Sequence, residues 1–91
     1  MEQAHFEEKV SRGEPEGLDL LMLHPEVNPD VLNSSPIRKS CMNGYLSVTK
    51  LLLANEKVNP GARNHEAIRT ASAKGYTEIV ELLLAHEKVN P

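Results

Sequence analysis

Hydrophobic and polar positions along this chain recur in a block that returns every 31 residues. Leu51-Leu52-Leu53-Ala54-Asn55-Glu56-Lys57-Val58-Asn59-Pro60 reappears as Leu82-Leu83-Leu84-Ala85-His86-Glu87-Lys88-Val89-Asn90-Pro91, with one difference, Asn55 against His86. A more diverged copy, Leu20-Leu21-Met22-Leu23-His24-Pro25-Glu26-Val27-Asn28-Pro29, stands at the same offset. A fixed period of this length marks a stack of like supersecondary units, none of which buries its apolar face alone. Such stacks present extended surfaces for binding rather than enclosed catalytic pockets.

Within the last copy, Ala67, Ile68, Ala71 and Ser72 fall at helical spacing and are read as inward-facing. Gly75 stops that helix, and Thr77 is the expected N-cap of a second one with Ile79, Val80, Leu83 and Leu84 as its core stripe. Val89-Asn90-Pro91 is expected to be extended, because a residue before proline avoids the α region. In the middle copy Ser35 caps, Pro36 takes the first turn, and Ile37, Ser40 and Cys41 face inward. Gly44 breaks, and a second helix over 46–55 turns Val48, Thr49, Leu52 and Leu53 to the core. Residues 56–65 are expected to be a loop. In the first copy Phe6, Lys9 and Val10 occupy the inward places, Gly13 matches Gly44 and Gly75, and a second helix begins at Pro15 or Glu16 and ends near His24-Pro25.

This makes six helices of roughly eight to eleven residues, each too short to persist alone in water. Three successive leucines span about 200° of a helix, too wide for one neighbour. A helix with partners on both sides can bury all three. The period and the width of the apolar face thus have one explanation, stacking. The fold class is all-α: a single domain over 1–91 of three stacked helix-turn-helix repeats, at about 1–31, 32–62 and 63–91.

Composition narrows the function. The net charge of −3 leaves little for phosphate neutralisation, so nucleic acid is not an expected partner. No apolar run approaches the ~18 residues that cross a bilayer, and the N-terminus, Met1-Glu2-Gln3-Ala4-His5, is not a signal peptide. The single cysteine, Cys41, suits a reducing compartment, so cytoplasmic or nuclear residence is expected.

The helix, glycine break, Leu-Leu helix and Val-Asn tail resemble the ankyrin repeat. Ser35-Pro36-Ile37-Arg38 falls on the family's Thr-Pro-Leu-His opening. Gly44-Tyr45-Leu46-Ser47-Val48-Thr49-Lys50-Leu51-Leu52 and Gly75-Tyr76-Thr77-Glu78-Ile79-Val80-Glu81-Leu82-Leu83 fall on its Gly-His-Leu-Glu-Ile-Val-x-x-Leu-Leu. The period here is 31 against about 33 in the family, so the projecting β-hairpin finger is expected to be short or replaced by a plain loop. Divergent units with a Val-Asn-Pro tail and an Ala-Ile-Arg opening resemble those of protist and giant-virus ankyrin proteins.

No pattern here points to catalysis, a cofactor or a metal. His5, His24, His65 and His86 form no His-x3-His spacing, and His24 and His86 fall at equivalent helix ends, where a cation is favoured. Cys41 reads as a buried small hydrophobe. Glu7-Glu8, Glu14-Pro15-Glu16, Glu56 and Glu87 read as solvated charges.

The resemblance implies a non-enzymatic protein–protein interaction module that binds through loop tips and the exposed face of the first helices. Carried onto this chain, those positions are Leu32, Asn33, Ser34, Met42 and Asn43 in the second repeat, and Arg63, Asn64, His65, Ala73 and Lys74 in the third. Leu32 and Met42 are apolar where exposure is expected. Arg38, Lys39, Arg63, Arg69 and Lys74 read as solvated surface or as a basic face for an acidic partner. The third repeat resembles the second closely and shows no polar capping, so Leu82 and Ala71 are expected on an open edge. That edge suits self-association or a fragment of a longer array, and a purely structural segment of such an array is the alternative reading.

Overall fold

The computed structural model of the chain describes residues 1–86. Six helices are present and, among the described residues, no strand: α1 (Glu2–Arg12), α2 (Leu18–Leu23), α3 (Val31–Asn43), α4 (Leu46–Leu53), α5 (Ala62–Lys74) and α6 (Thr77–Ala85). The first helices, α1, α3 and α5, lie side by side in one layer, and α2, α4 and α6 form a second layer against them. The stack measures 34 × 21 × 19 Å.

Each helix pair is closed by a left-handed glycine: Gly13, Gly44 and Gly75 have φ of 69°, 74° and 77°. A side chain there would meet its own carbonyl, so glycine takes the position at little cost. The chain then folds back on the helix end. Tyr45 N–H donates to the Ser40 carbonyl at 2.9 Å and Tyr76 N–H to that of Ala71 at 3.0 Å.

The core follows the period. Phe6, Val10, Leu18, Ile37, Cys41, Val48, Leu52, Ala67, Ala71, Ile79 and Leu83 are buried in one cluster with Val27 and Val58 from the connections. Each buried leucine contributes roughly 1.5–3 kcal/mol. Ser40 and Thr49 are buried together between α3 and α4. Thr49 Oγ1 donates to Ser40 Oγ at 3.0 Å, and Ser40 Oγ to the Ile37 carbonyl at 3.1 Å, so neither hydroxyl is stranded.

Several expectations need correction. The second helix of the first repeat begins at Leu18, because Gly17 adopts φ 76° and interrupts the chain just before it. Helix α4 ends at Leu53, where the Asn55 side chain takes over by accepting the Lys57 N–H at 2.9 Å. Thr77 is the first residue of α6 and Tyr76 occupies the cap position. Ser72 is exposed, not inward, and Leu84 is 57% exposed. Among the described residues no helix covers their side of the third repeat. Ala71, expected on that edge, is fully buried, and Leu82 is half-buried. The edge therefore does carry a polar substitution: Ser72 stands where Val10 and Cys41 are buried in the first two repeats. His24 and His86 do end α2 and α6. The extended conformation expected for Val89-Asn90-Pro91 lies outside the described residues.

Candidate functional site

The connections between repeats are built on the Val-Asn-Pro tail. Val27 and Val58 are buried, and so are Pro29 and Pro60. The asparagine between them closes a turn: Asn28 Oδ1 accepts the Asp30 N–H, and Asn59 Oδ1 the Gly61 N–H, each at 3.0 Å. Next comes a segment that sequence reasoning had taken as plain loop. Leu32 and Ser34 have φ of 52° and 58°, and Arg63, Asn64 and His65 have φ of 56°, 58° and 60°. The chain makes a short left-handed turn, then reverses hand into α3 and α5 proper, with Ser35-Pro36 and Glu66-Ala67 opening the right-handed parts. No β-hairpin projects here.

Left-handed backbone costs roughly 1–2 kcal/mol per non-glycine residue, so the turn requires support. An arginine six residues on supplies it in both repeats. Arg38 Nη2 donates to the Leu32 carbonyl at 2.7 Å. Arg69, 31 positions later, donates from Nη2 to the Arg63 carbonyl at 3.3 Å and from Nε to that of Asn64 at 3.0 Å. A second support ties the turn of the second repeat to the following connection. Ser34 Oγ accepts the Asn59 N–H at 2.9 Å while donating to the Asp30 carboxylate. In the first repeat Gln3 fills the same role toward Asn28, accepting its N–H at 2.5 Å and donating to its carbonyl at 3.2 Å. The third repeat has His65 at this place, its Nδ1 buried with no partner among the described residues.

These contacts sort the expected contact residues. Leu32 is 73% exposed and Met42 42%, and Asn43, Arg63, Asn64, Ala73 and Lys74 are exposed as well. His65 is half-buried, and Asn33 lies between Leu32 and Ser34 in the chain. Ser34 is the correction. It is fully buried because its hydroxyl is spent on Asp30 and Asn59, and it offers no surface to a partner. Leu32, Arg63 and Asn64 gather at the turns, whereas Met42, Asn43, Ala73 and Lys74 gather at the opposite ends of α3 and α5. Between the two groups runs a groove of about 170 Å³ lined by Ser35, Arg38, Lys39, Met42, Glu66 and Thr70.

Charge in the groove is organised around one pair. Arg38 Nη1 donates to Glu66 Oε1 at 2.8 Å, joining the second repeat to the third, and Arg63 Nε lies 3.9 Å from the same oxygen. That hydrogen bond from Arg38, with the added charge of Arg38, Arg63 and Arg69, holds the Glu66 carboxyl below its ordinary 4.5. Sequence reasoning read Ser35 only as a helix cap, a place that Asp30 holds because α3 begins at Val31, and it missed Glu66. Ser35 and Glu66 occupy equivalent positions, each the first residue after the reversal of hand, and only the left-handed turn sets them at the groove mouth.

Away from this face, Glu2, His24 and Glu26 bring one ligand-type atom each within 4.8 Å of the others. No sequence spacing announces that cluster. Its side chains are exposed or half-exposed, and His24 Nδ1 accepts the Glu26 N–H at 3.4 Å. Cys41 is buried, and burial pushes its thiol up to about 11, against the weaker opposing effect of hydrogen bonds with Thr49 and Ser40. A thiol kept protonated at neutral pH is a packing group. No helix among the described residues is long and apolar enough to cross a membrane.

Comparison with known proteins places this geometry. A family model of ankyrin repeats, in three copies, matches residues 7–91. No curated protein and no solved structure is significantly similar to the chain.

Proposed function

The chain belongs to the ankyrin repeat family, whose repeats are in general protein-interaction modules and not enzymes, and on that premise we propose that it binds another protein through the face of α3 and α5. The observation that carries this reading is the placement of two exposed apolar side chains, Leu32 and Met42, at either end of a groove flanked by exposed Lys39, Arg63, Arg69 and Lys74. Glu66, the acid in that groove, is already neutralised by Arg38. A chain of net charge −3 thus turns a locally basic surface outward. The partner is a protein with an acidic surface and an apolar anchor, drawn in by charge and held by Leu32 and Met42. The turns and helices are fixed by the contacts described above, so little entropy is lost on binding. No catalytic role is assigned, and the lone cysteine suits residence in the cytoplasm or nucleus.

Selection from a displayed peptide library tests the proposal. Ligands enriched by the full chain should be acidic with one large apolar residue. Their affinity should fall at least tenfold for Lys39→Glu with Lys74→Glu, and fall as salt is raised, at unchanged melting temperature. Ligands of neutral or basic character, or equal binding by the double variant, would overturn it. The alternative, a structural segment without a partner of its own, predicts no enrichment at all.

A further inference from the structure

The layer of second helices also has an outer face. Val48, Leu52, Ile79 and Leu83 turn inward and are buried, and two grooves open on the other side of the same helices. One, of about 160 Å³, runs between α2 and α4, walled by Leu23, Leu51 and Ala54 with Asp19 at its rim. The other, of about 260 Å³, runs between α4 and α6, walled by Leu46, Leu82 and Ala85 with Lys50, Glu78 and Glu81 at its rims. Leu82 stands 31 positions after Leu51, and Ala85 31 after Ala54, so one feature is formed twice. The apolar walls meet water: Leu23 is 78% exposed, and Leu51 and Leu82, the first members of the leucine triplets, are half-buried.

Charge alternates across this face. Asp19, Lys50 and Glu81 hold equivalent positions in the three repeats, and all three are exposed. None is ion-paired among the described residues. From α2 to α6 the surface therefore reads acid, apolar groove, base, apolar groove, acid. Neighbouring helices in a layer stand about 8–10 Å apart. An α-helix returns to the same face after seven residues, about 10.5 Å along its axis, and a residue three positions on falls near the midpoint. A strand repeats its face every ~6.7 Å and falls out of step with such ridges.

We propose that the outer face of α2, α4 and α6 is a docking site for one amphipathic helix of another protein, lying across all three. Its pattern is a base, an acid and a base at seven-residue spacing, which meet Asp19, Lys50 and Glu81. A leucine-sized residue three positions after each of the first two enters a groove. The site is separate from the face of α3 and α5. A second copy of this chain answers the pattern poorly. Back to back about a two-fold axis at α4, it sets Asp19 against Glu81 and Lys50 against Lys50. Front to back with the repeats in step, it sets Lys39 over Lys50.

The probe that tests this is a synthetic helix, stapled on its solvent side so that ordering costs little. It carries lysine at its first and fifteenth positions, glutamate at the eighth, and leucine at the fourth and eleventh. A second probe exchanges lysine and glutamate. Fluorescence anisotropy with the full chain at low salt should show the first probe binding about tenfold more tightly, since three pairs pass from attraction to repulsion in the second. The variant Asp19→Lys, Lys50→Glu, Glu81→Lys should keep the melting temperature and reverse the preference. Its net charge stays negative, so long-range attraction alone does not produce that reversal. Ala54→Gln with Ala85→Gln should weaken the first probe by filling the grooves. Failure of the first probe to bind, equal binding of the two, or a preference unchanged in the triple variant would each overturn the proposal. So would full binding by the double glutamine variant. Loss of binding in Lys39→Glu with Lys74→Glu would move the probe to the α3 and α5 face and overturn it as well. A sedimenting mass of the chain alone that rises with concentration, and no longer does so in the triple variant, would make a second copy the occupant and the proposal wrong.

Discussion

The Arg38 guanidinium bridges two repeats: one nitrogen lies 2.8 Å from the Glu66 carboxylate of the third repeat, while another closes the left-handed turn of the second at the Leu32 carbonyl, 2.7 Å away. A single side chain, 17% exposed, thus fixes both the turn that presents Leu32 and the spacing of α3 against α5. Only a planar, forked donor can serve two acceptors in this way.

The pair makes stability depend on acidity. Glu66 titrates below its ordinary 4.5 in the folded protein, chiefly through the Arg38 hydrogen bond. A depressed carboxyl favours folding at pH above its unfolded value, and that advantage disappears as pH falls through the folded value. The urea midpoint of the native chain should therefore exceed that of Glu66→Gln at pH 7, and the gap should shrink steadily below about pH 4.5. A gap that persists at the lowest pH would show the glutamate acting through packing alone.

Arg38 and Arg69 offer a matched comparison, since both support a left-handed turn and, among the described residues, Arg38 but not Arg69 also pairs across repeats. Arg38→Ala should cost about 1.5–3 kcal/mol, the range for hydrogen bonds to a charged group. Arg69→Ala, on an exposed side chain, should cost about 1 kcal/mol or less. Arg38→Lys should recover little, because an ammonium cannot span both acceptors. Chemical denaturation of the three variants decides the matter; equal losses at 38 and 69 would mean that the cross-repeat bond adds nothing.

The leucine triplets give a second internal comparison. Leu52 and Leu83 are fully buried, and truncating either to alanine should cost about 2–5 kcal/mol. Leu84→Ala should fall within about 0.5 kcal/mol, as at a surface position, while Leu53→Ala, packed against the core, should lie between. Thermal melts resolve this order. A large loss at Leu84 would show that its side chain is covered in solution.

How much of this was legible in the sequence follows from what each feature depends on. Phe6, Ile37, Val48, Leu52, Ile79 and Leu83 are buried because hydrophobic periodicity and a 31-residue repeat need only local spacing and identity of pattern. Ser72 and Leu84 were misread for a reason periodicity cannot contain: their wheel positions match covered residues in the second repeat, Cys41 and Leu53, which α5 and α6 pack against, and among the described residues no helix packs on Ser72 and Leu84 in that way. The left-handed turns were hidden more deeply. Leu32, Ser34 and Arg63 have no intrinsic taste for positive φ, and the contacts that hold the turns come from Arg38 and Arg69, six residues along the chain, and in the second repeat from Asn59, 25 residues beyond Ser34. Of the proposed contact residues, Ser34 was lost to the same cause, since the long-range bond that steadies the turn also buries it.

Repeats also predict which substitutions each position accepts, and Cys41 is the sharpest case. The same place holds Val10, buried, in the first repeat and Ser72, exposed, in the third. Cys41→Val should therefore be tolerated within about 1.5 kcal/mol, as an apolar exchange of similar volume. The native thiol should resist modification. Burial pushes it from 9.0 to about 11, so at pH 8 the thiolate is a small minority and is enclosed besides. Reaction with a disulfide reagent at pH 8 should be slow, and should accelerate through the urea transition as the thiol regains its ordinary acidity. The sign of the linkage adds a further check. Because the folded state keeps its proton more tightly, raising pH from 9 toward 11 should destabilise the native chain, and Cys41→Val should lack that component. Rapid labelling without denaturant would place Cys41 on an opened surface and would contradict the packing of α3 against α4.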